Sequence, residues 1–170
     1  MAFLADQGYH TIGVEEFLDF LHYRRGLPRR SVMITMDDGY RSAYEIAYPI
    51  LAEHGFTAVL FVYTDFVDTS VKSLTWEQLK EMKARGFDVG SHTVTHCDLS
   101  RRAPGEDDEG YRERVRQELQ ASKQILDARL DQDTVALAYP YGSINPEILQ
   151  MVHSLGYRLG VTVRPGANPF

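Results

Sequence analysis

The sequence predicts one parallel α/β domain over residues 1–170, an open sheet or barrel with helices outside it. Three observations carry that expectation. Apolar runs of strand length alternate with segments of helical period along the whole chain. The clearest run is continuous and β-rich, as in a strand covered on both faces. Short polar clusters follow the runs, at the strand ends where parallel α/β folds gather their sites. At 170 residues and 44% hydrophobic, the chain has the material for one core.

Val14, Phe17, Leu18 and Leu21 fall at i, i+3, i+4 and i+7, which predicts a helix ending at Gly26-Leu27-Pro28. Val32-Met33-Ile34-Thr35-Met36 reads as a buried strand stopped by Asp37-Asp38-Gly39. A helix follows over about 41–53, perturbed at Pro49 and stopped at Gly55. Ala58-Val59-Leu60-Phe61-Val62-Tyr63 is the clearest strand. Thr75 has the character of an N-cap, with Gln78 three residues on, and opens a helix through Trp76, Leu79 and Met82 to Gly86. Phe87-Asp88-Val89-Gly90-Ser91 is a third strand, delivering His92 at its end. The stretch 101–110, with Pro104, Gly105 and four acids, is expected to be a mobile loop. Tyr111, Val115, Leu119, Ser122 and Leu126 mark one stripe of a long amphipathic helix. Val135-Ala136-Leu137-Ala138 is a fourth strand, Pro146 opens a helix to Gly156, and 157–163 is a fifth strand.

Composition narrows the function classes. The net charge is -6 and the 18 basic residues are thinly spread, whereas phosphate-tracking surfaces need clustered Lys and Arg, so no nucleic-acid partner is expected. Arg24-Arg25 and Arg29-Arg30 flank the expected turn at Gly26-Leu27-Pro28 and read as solvated. Cys97 is the only cysteine, so no intrachain disulfide forms; beside His96 it reads as a small filler rather than a ligand. No run reaches the roughly 18 apolar residues of a membrane helix, and no secretory signal is visible. Met1-Ala2-Phe3-Leu4 enters a helix end directly and Pro169-Phe170 closes a strand-like run, so an excerpt of a longer protein is expected. Oligomeric state is not legible.

Two clusters carry the chemistry. Asp37-Asp38-Gly39 and His92-Thr93-Val94-Thr95-His96 each follow a strand. Asp38, His92 and His96 make a two-nitrogen, one-oxygen set, the ligand number of a catalytic zinc site with one position open. Asp37 is left free as a base. Asp-Asp-Gly alone is an ordinary turn sequence. The His-x3-His pair is more specific, because i, i+4 histidines on a helical turn face one way. Thr64-Asp65 and Tyr139-Pro140-Tyr141-Gly142 share the same strand ends, with the main clusters about 55 and 45 residues apart. Asp65 and Asp68 are read as solvated loop. His10, His22, His54 and His153 are read as surface or boundary residues, and Trp76 and the Tyr and Phe residues at helical or strand spacing as core rather than sugar platforms.

Thr35-Met36-Asp37-Asp38-Gly39-Tyr40, Ser91-His92-Thr93-Val94-Thr95-His96 and Ala138-Tyr139-Pro140-Tyr141-Gly142 resemble, in order and spacing, the first three motifs of the polysaccharide deacetylases. These carry the NodB-homology domain of carbohydrate esterase family four. The resemblance covers about residue 10 to the end. It implies a distorted (β/α) barrel, here incomplete at its termini, and metal-dependent removal of N-acetyl groups from an amino-sugar polysaccharide. Asp37 then resembles the catalytic base, and Asp38, His92 and His96 the ligands of a divalent metal, zinc first, with cobalt, nickel or iron as alternatives. Tyr141 resembles the residue whose backbone N–H holds the oxyanion. The family context suggests a cell-envelope or extracellular setting and carbohydrate metabolism.

The sequence departs from that pattern in two places. Ala138 stands where the third motif usually has an Arg that orients the base, and no later Trp motif or Leu-x-His acid appears before Phe170. In a subgroup acting on poly-N-acetylglucosamine the acid His lies upstream in a permuted segment. The expectation is therefore a chain that binds metal and is weak as an enzyme by itself. The alternative is a metal-retaining, non-catalytic glycan-binding domain. A glycosidase using Asp37 and a second carboxylate explains the His pair poorly.

Overall fold

A computed structural model describes residues 1–166. In chain order it contains α1 (Ala2–Asp6), β1 (His10–Thr11), α2 (Val14–Leu21), β2 (Ser31–Val32), β3 (Thr35–Met36), α3 (Tyr48–Glu53) and β4 (Val59–Val62). There follow α4 (Trp76–Ala84), β5 (Asp88–Ser91), α5 (Asp108–Leu130), β6 (Ala136–Ala138), α6 (Pro146–Ser154) and β7 (Leu159–Val161). Five strands form one parallel sheet in the order β3-β4-β5-β6-β7. The order never reverses, so each crossover steps one strand in the same direction. That winding builds a barrel wall rather than a doubly wound sheet, whose order turns back at a switch point. The result is a curled half-barrel, the incomplete (β/α) barrel expected.

The apolar runs are explained by burial on two faces. Along β4, Val59 and Phe61 join Val14 and Leu18 of α2, Ala136 and Ala138 of β6 and Leu159 of β7 in one cluster. Leu60 and Val62 join Leu51 of α3, Leu79 and Met82 of α4 and Leu126 of α5 in another. Successive residues of a strand point to opposite faces, so neither face of β4 is left for polar side chains. Gly90 of β5 lacks a side chain for a visible reason: a Cβ there would lie 2.5 Å from Phe61 Cε1 and 3.0 Å from the Ala136 carbonyl oxygen. The Phe61 ring thus packs directly against the β5 backbone.

Local chemistry sets the boundaries. Thr75 and Gln78 form the capping box anticipated from sequence, with Gln78 N–H donating to Thr75 Oγ1 at 3.1 Å and Thr75 N–H to Gln78 Oε1 at 3.0 Å. The perturbation expected at Pro49 is a wide π-helical turn, Ala43–Ala47, after which Pro49 sits in the first turn of α3, where a missing N–H costs little. The run 32–36 is not one strand. Ser31–Val32 pairs with His10–Thr11, while Thr35–Met36 pairs with Val59–Leu60. Helix α5 starts at Asp108, inside the stretch read as loop, because Asp107 Oδ1 accepts the Gly110 N–H at 2.8 Å and two acids occupy the first turn. The remaining loop is anchored. Arg114 grips both oxygens of Glu106 and donates to the Arg101 carbonyl, which holds the Glu106 carboxyl down to about 2. The last strand is shorter than 157–163, and the closing Pro169-Phe170 lies outside the described residues.

Candidate metal centre

The strand ends deliver the site. Asp37 and Asp38 follow β3, His92 follows β5, and Tyr141 lies in a tight 3-10 turn after β6. Asp38 Oδ1 stands 3.5 Å from His92 Nε2 and 3.3 Å from His96 Nε2. The three ligand atoms lie within 4.8 Å of one another, and no fourth metal-ligating side chain joins them among the described residues. Nitrogen and oxygen ligands at 2.0–2.1 Å around a tetrahedral divalent ion have an edge of about 3.3 Å, so the two separations from Asp38 are compatible with such an ion.

His92 is buried, and its Nδ1–H donates to the Ala138 carbonyl oxygen at 2.8 Å. That bond turns the Nε2 lone pair toward Asp38, the outer-shell arrangement usual for a ligating histidine. Burial pulls the His92 pKa below its ordinary value, which keeps the ring neutral and able to ligate. Asp37 is shifted the other way. Burial pushes its carboxyl up and Asp38 adds to the push, while His92 and His96 oppose it. A carboxylate raised in this way is a better proton acceptor.

The two histidines do not sit on a helical turn. The segment between them is irregular, with Thr93 at φ 69° and His96 at φ 61°. The i, i+4 spacing therefore brings the rings together through a folded loop, with Thr93 Oγ1 accepting the His96 N–H at 3.1 Å. Asp38 (φ 74°) and Tyr141 (φ 60°) are also left-handed. Four of the eight non-glycine residues with positive φ among the described residues are thus in this site.

Other residues singled out in the sequence fall into place. Cys97 is half-buried, and burial pushes its thiol up; it is not in the ligand set. Asp68 accepts the Trp76 N–H at 3.4 Å, and neither Asp65 nor Asp68 joins the ligands. Trp76 is buried, as expected of a core residue. Tyr40 and Tyr141, which lie in the turns after strands, are 48% and 63% exposed. The Tyr141 ring meets His96 edge-on at 5.0 Å, and Tyr63 packs 5.3 Å from His96 and stacks on Phe66, which Tyr40 also meets. An open cavity of about 630 Å³ continues from Tyr141 past Cys97, Asp98, Arg101, Arg102 and Arg114. Sequence reasoning missed Glu118, a buried acid of α5 bonded to the loop between the histidines. The signal was present, since 118 falls on the apolar stripe between Val115 and Ser122.

A family model described as polysaccharide deacetylase matches residues 24–160. The Bacillus subtilis protein YxkH is 34% identical over 167 residues, covering 98% of this chain and 57% of that protein. An Escherichia coli poly-β-1,6-N-acetyl-D-glucosamine N-deacetylase is 25% identical over 199 residues, covering 97% of this chain and 30% of the relative. This chain therefore spans between about a third and a half or so of these two curated relatives. Among solved structures, the Streptococcus pyogenes deacetylase PplD in complex with acetate superposes with a TM-score of 0.87 at 35% identity, covering 96% of this chain and 69% of that one.

Proposed function

The chain belongs to the polysaccharide deacetylase family, and from that premise we propose that it is a metal-dependent hydrolase of N-acetyl groups on an amino-sugar polysaccharide. Asp38, His92 and His96 hold one divalent ion, zinc in our reading, and Asp37 and Tyr141 serve the chemistry. The observation that carries the reading is the convergence of three ligand atoms of zinc-compatible spacing beside a second carboxylate, Asp37, outside the ligand set. Two relatives add to it by name: one is in complex with acetate, the product of acetamide hydrolysis, and one deacetylates poly-β-1,6-N-acetyl-D-glucosamine.

When bound, a divalent metal supplies Lewis-acid polarisation and makes water a nucleophile near neutral pH. This chain's own residues do the rest. Asp37, its carboxyl raised by burial, accepts the proton of the attacking water. The acetamide oxygen gains negative charge as the carbon becomes tetrahedral. The backbone N–H of Tyr141 has no acceptor among the described residues and is free to donate to that oxygen. A donor so placed is worth about 3–4 kcal/mol where one has been removed by mutation. The left-handed Tyr141 backbone fixes where this N–H stands, and its ring meets His96 edge-on at 5.0 Å. The exposed Tyr40 and Tyr141 rings and the adjoining open cavity provide surface for sugars flanking the reacting one.

A second reading is a glycan-binding domain that retains the metal without catalysis, and one observation favours it. The Ala138 side chain packs in the apolar cluster of α2, β4 and β6, so it brings no cation to Asp37 where the family resemblance expects an Arg. The test for both is acetate release from a panel of acetylated glycans that includes poly-β-1,6-N-acetyl-D-glucosamine, with zinc-loaded and chelator-treated protein and with Asp37→Asn. Zinc-dependent release lost in Asp37→Asn is expected. Tight zinc and glycan binding with no release would establish the second reading.

A further inference from the structure

The loop that carries His96 is held in an unusual way. Its four successive N–H groups, from Thr93 to His96, all donate to side chains: Thr93 to Ser91 Oγ at 3.1 Å, Val94 and Thr95 to Glu118 Oε2 at 2.9 and 3.0 Å, and His96 to Thr93 Oγ1 at 3.1 Å. Glu118 takes a further bond from Thr95 Oγ1–H, at 2.7 Å to Oε1. Every hydrogen bond of this carboxylate therefore goes to the segment between the two histidines, and it forms no salt bridge among the described residues. Arg114, one turn earlier on α5, is taken up by Glu106. Glu118 is only 8% exposed. A buried acid without a cation is costly unless its lone pairs are filled, and here consecutive loop N–H groups fill them. One turn further along α5, Ser122 Oγ lies 2.7 Å from Ser91 Oγ, the atom that accepts the Thr93 N–H.

We infer that Glu118 is a positioning residue of the metal centre: from α5 it fixes the 93–95 loop, and so sets where His96 Nε2 stands relative to Asp38 and His92. Glu118 touches neither metal ligand nor the reacting atoms. Thr93 and His96 hold left-handed φ angles, which the loop keeps only while its N–H groups are bound. Without the carboxylate two part-buried donors lose their acceptor, and the loop relaxes to recover them. The inference rests on the metal reading proposed above, since it is the ion that would sense a displaced His96.

The test compares wild type with Glu118→Ala, Glu118→Gln, Glu118→Asp and Leu126→Ala, each freed of metal. Two quantities are measured: amide hydrogen exchange at Val94 and Thr95 without metal, and zinc affinity by competition with a chromophoric chelator, corrected for the folded fraction. Glu118→Ala should speed exchange at these two amides at least about tenfold and weaken zinc about 10- to 100-fold, the range for loss of an outer-shell partner. Glu118→Gln should stay within about threefold of wild type, because its amide oxygen still accepts both N–H groups and its NH2 donates to Thr95 Oγ1. Leu126→Ala unpacks the far part of α5, among Trp76, Leu79 and Met82, and should lower stability with unchanged zinc affinity. Wild-type exchange or zinc affinity in folded Glu118→Ala would overturn the inference, as would an equal zinc loss in Leu126→Ala. If Glu118→Ala does not fold, Glu118→Asp decides: its shorter carboxylate should still speed exchange and weaken zinc several-fold, and wild-type values would overturn the inference. If wild type itself takes up no zinc, the metal reading fails, and the exchange measurement alone decides whether Glu118 holds the loop.

Discussion

Replacing Gly90 by alanine tests the packing that seats the site. The added Cβ would lie 2.5 and 2.7 Å from two ring carbons of Phe61, and 3.0 Å from the Ala136 carbonyl oxygen. Carbon atoms in contact sit about 3.5–4.0 Å apart, so the ring must retreat by about 1 Å. It has nowhere to go. Phe61 is fully buried among Val59, Ala136, Ala138 and α2, and β5 is held between β4 and β6. Overpacking of this kind costs about 1–3 kcal/mol, against a gain of about 0.4–1 kcal/mol from stiffening the unfolded chain. A net loss of about 1–2 kcal/mol lowers Tm by about 2–8 °C for a domain of this size. The assay is urea and thermal denaturation of wild type, Gly90→Ala, Phe61→Val and the double variant. Valine lacks both clashing ring carbons, so the double variant should be more stable than the sum of the singles, by about 0.5 kcal/mol or more. Compensation stays partial because the Ala136 oxygen remains. Since β5 ends one residue before His92, Gly90→Ala should also weaken zinc binding and Phe61→Val should restore part of it. Additive losses, or a Gly90→Ala protein as stable as wild type, would refute the packing argument.

Three further predictions concern the site. Asp37→Asn should keep zinc affinity and cut acetate release about 10²- to 10⁴-fold, whereas Asp38→Asn should weaken zinc and His92→Ala should abolish stoichiometric uptake in elemental analysis; equal metal loss in both aspartate variants would sink the division of roles. The second concerns pH. Because burial depresses the folded-state pKa of His92 below 6.5, the unfolded chain binds more protons just below that pH, so metal-free stability should fall as pH drops from 6.5 toward the folded value. Melting curves against pH should show this loss in wild type and a smaller one in His92→Gln, and parallel curves would contradict it. Lastly, metal-free Asp38→Gly should be as stable as wild type or up to about 2 kcal/mol more stable at about pH 8, although it has lost a ligand. A clear loss of metal-free stability would count against strain at Asp38.

Much of the fold was legible because burial writes itself into sequence. A run such as 58–63 has no polar position because β4 is covered on both faces, and the Thr75–Gln78 cap is a local exchange of two hydrogen bonds. The candidate ligands could be picked out because few residue types bind metals and the strand ends gather them. What stayed hidden has little or no local signature. A two-residue ladder such as His10–Thr11 with Ser31–Val32 is too short for any period to appear. The service Ala138 gives to His92 comes from its carbonyl oxygen, which every residue has. Glu118 is marked only by its place on the apolar stripe of a 23-residue helix, and its partners lie 23 and 24 residues earlier in the chain. The exposure of Tyr40 and Tyr141 depends on where the loops end, and spacing does not encode that.

These hidden contributions answer a need the visible motif creates. Asp38, Thr93, His96 and Tyr141 hold backbone angles that each cost of order 1–3 kcal/mol outside glycine. Glycine would remove that cost at any of the four, but at three of them it would also remove a proposed ligand or the ring beside His96. Side chains are needed at strained positions, so the strain must be opposed from outside the motif. Here the opposing bonds come from the next layer: Ser91 and Glu118 hold the loop N–H groups, the Ala138 carbonyl turns His92, and Leu74 N–H donates to the Gly39 carbonyl at 2.8 Å beside Asp38. A ligand set held in place this way needs little rearrangement to bind an ion, and binding then adds stability in proportion to the logarithm of metal concentration over Kd. The metal-free protein is therefore where the strain should be felt most, and a glycine at Asp38 should relieve it there while forfeiting whatever stability the proposed metal would give.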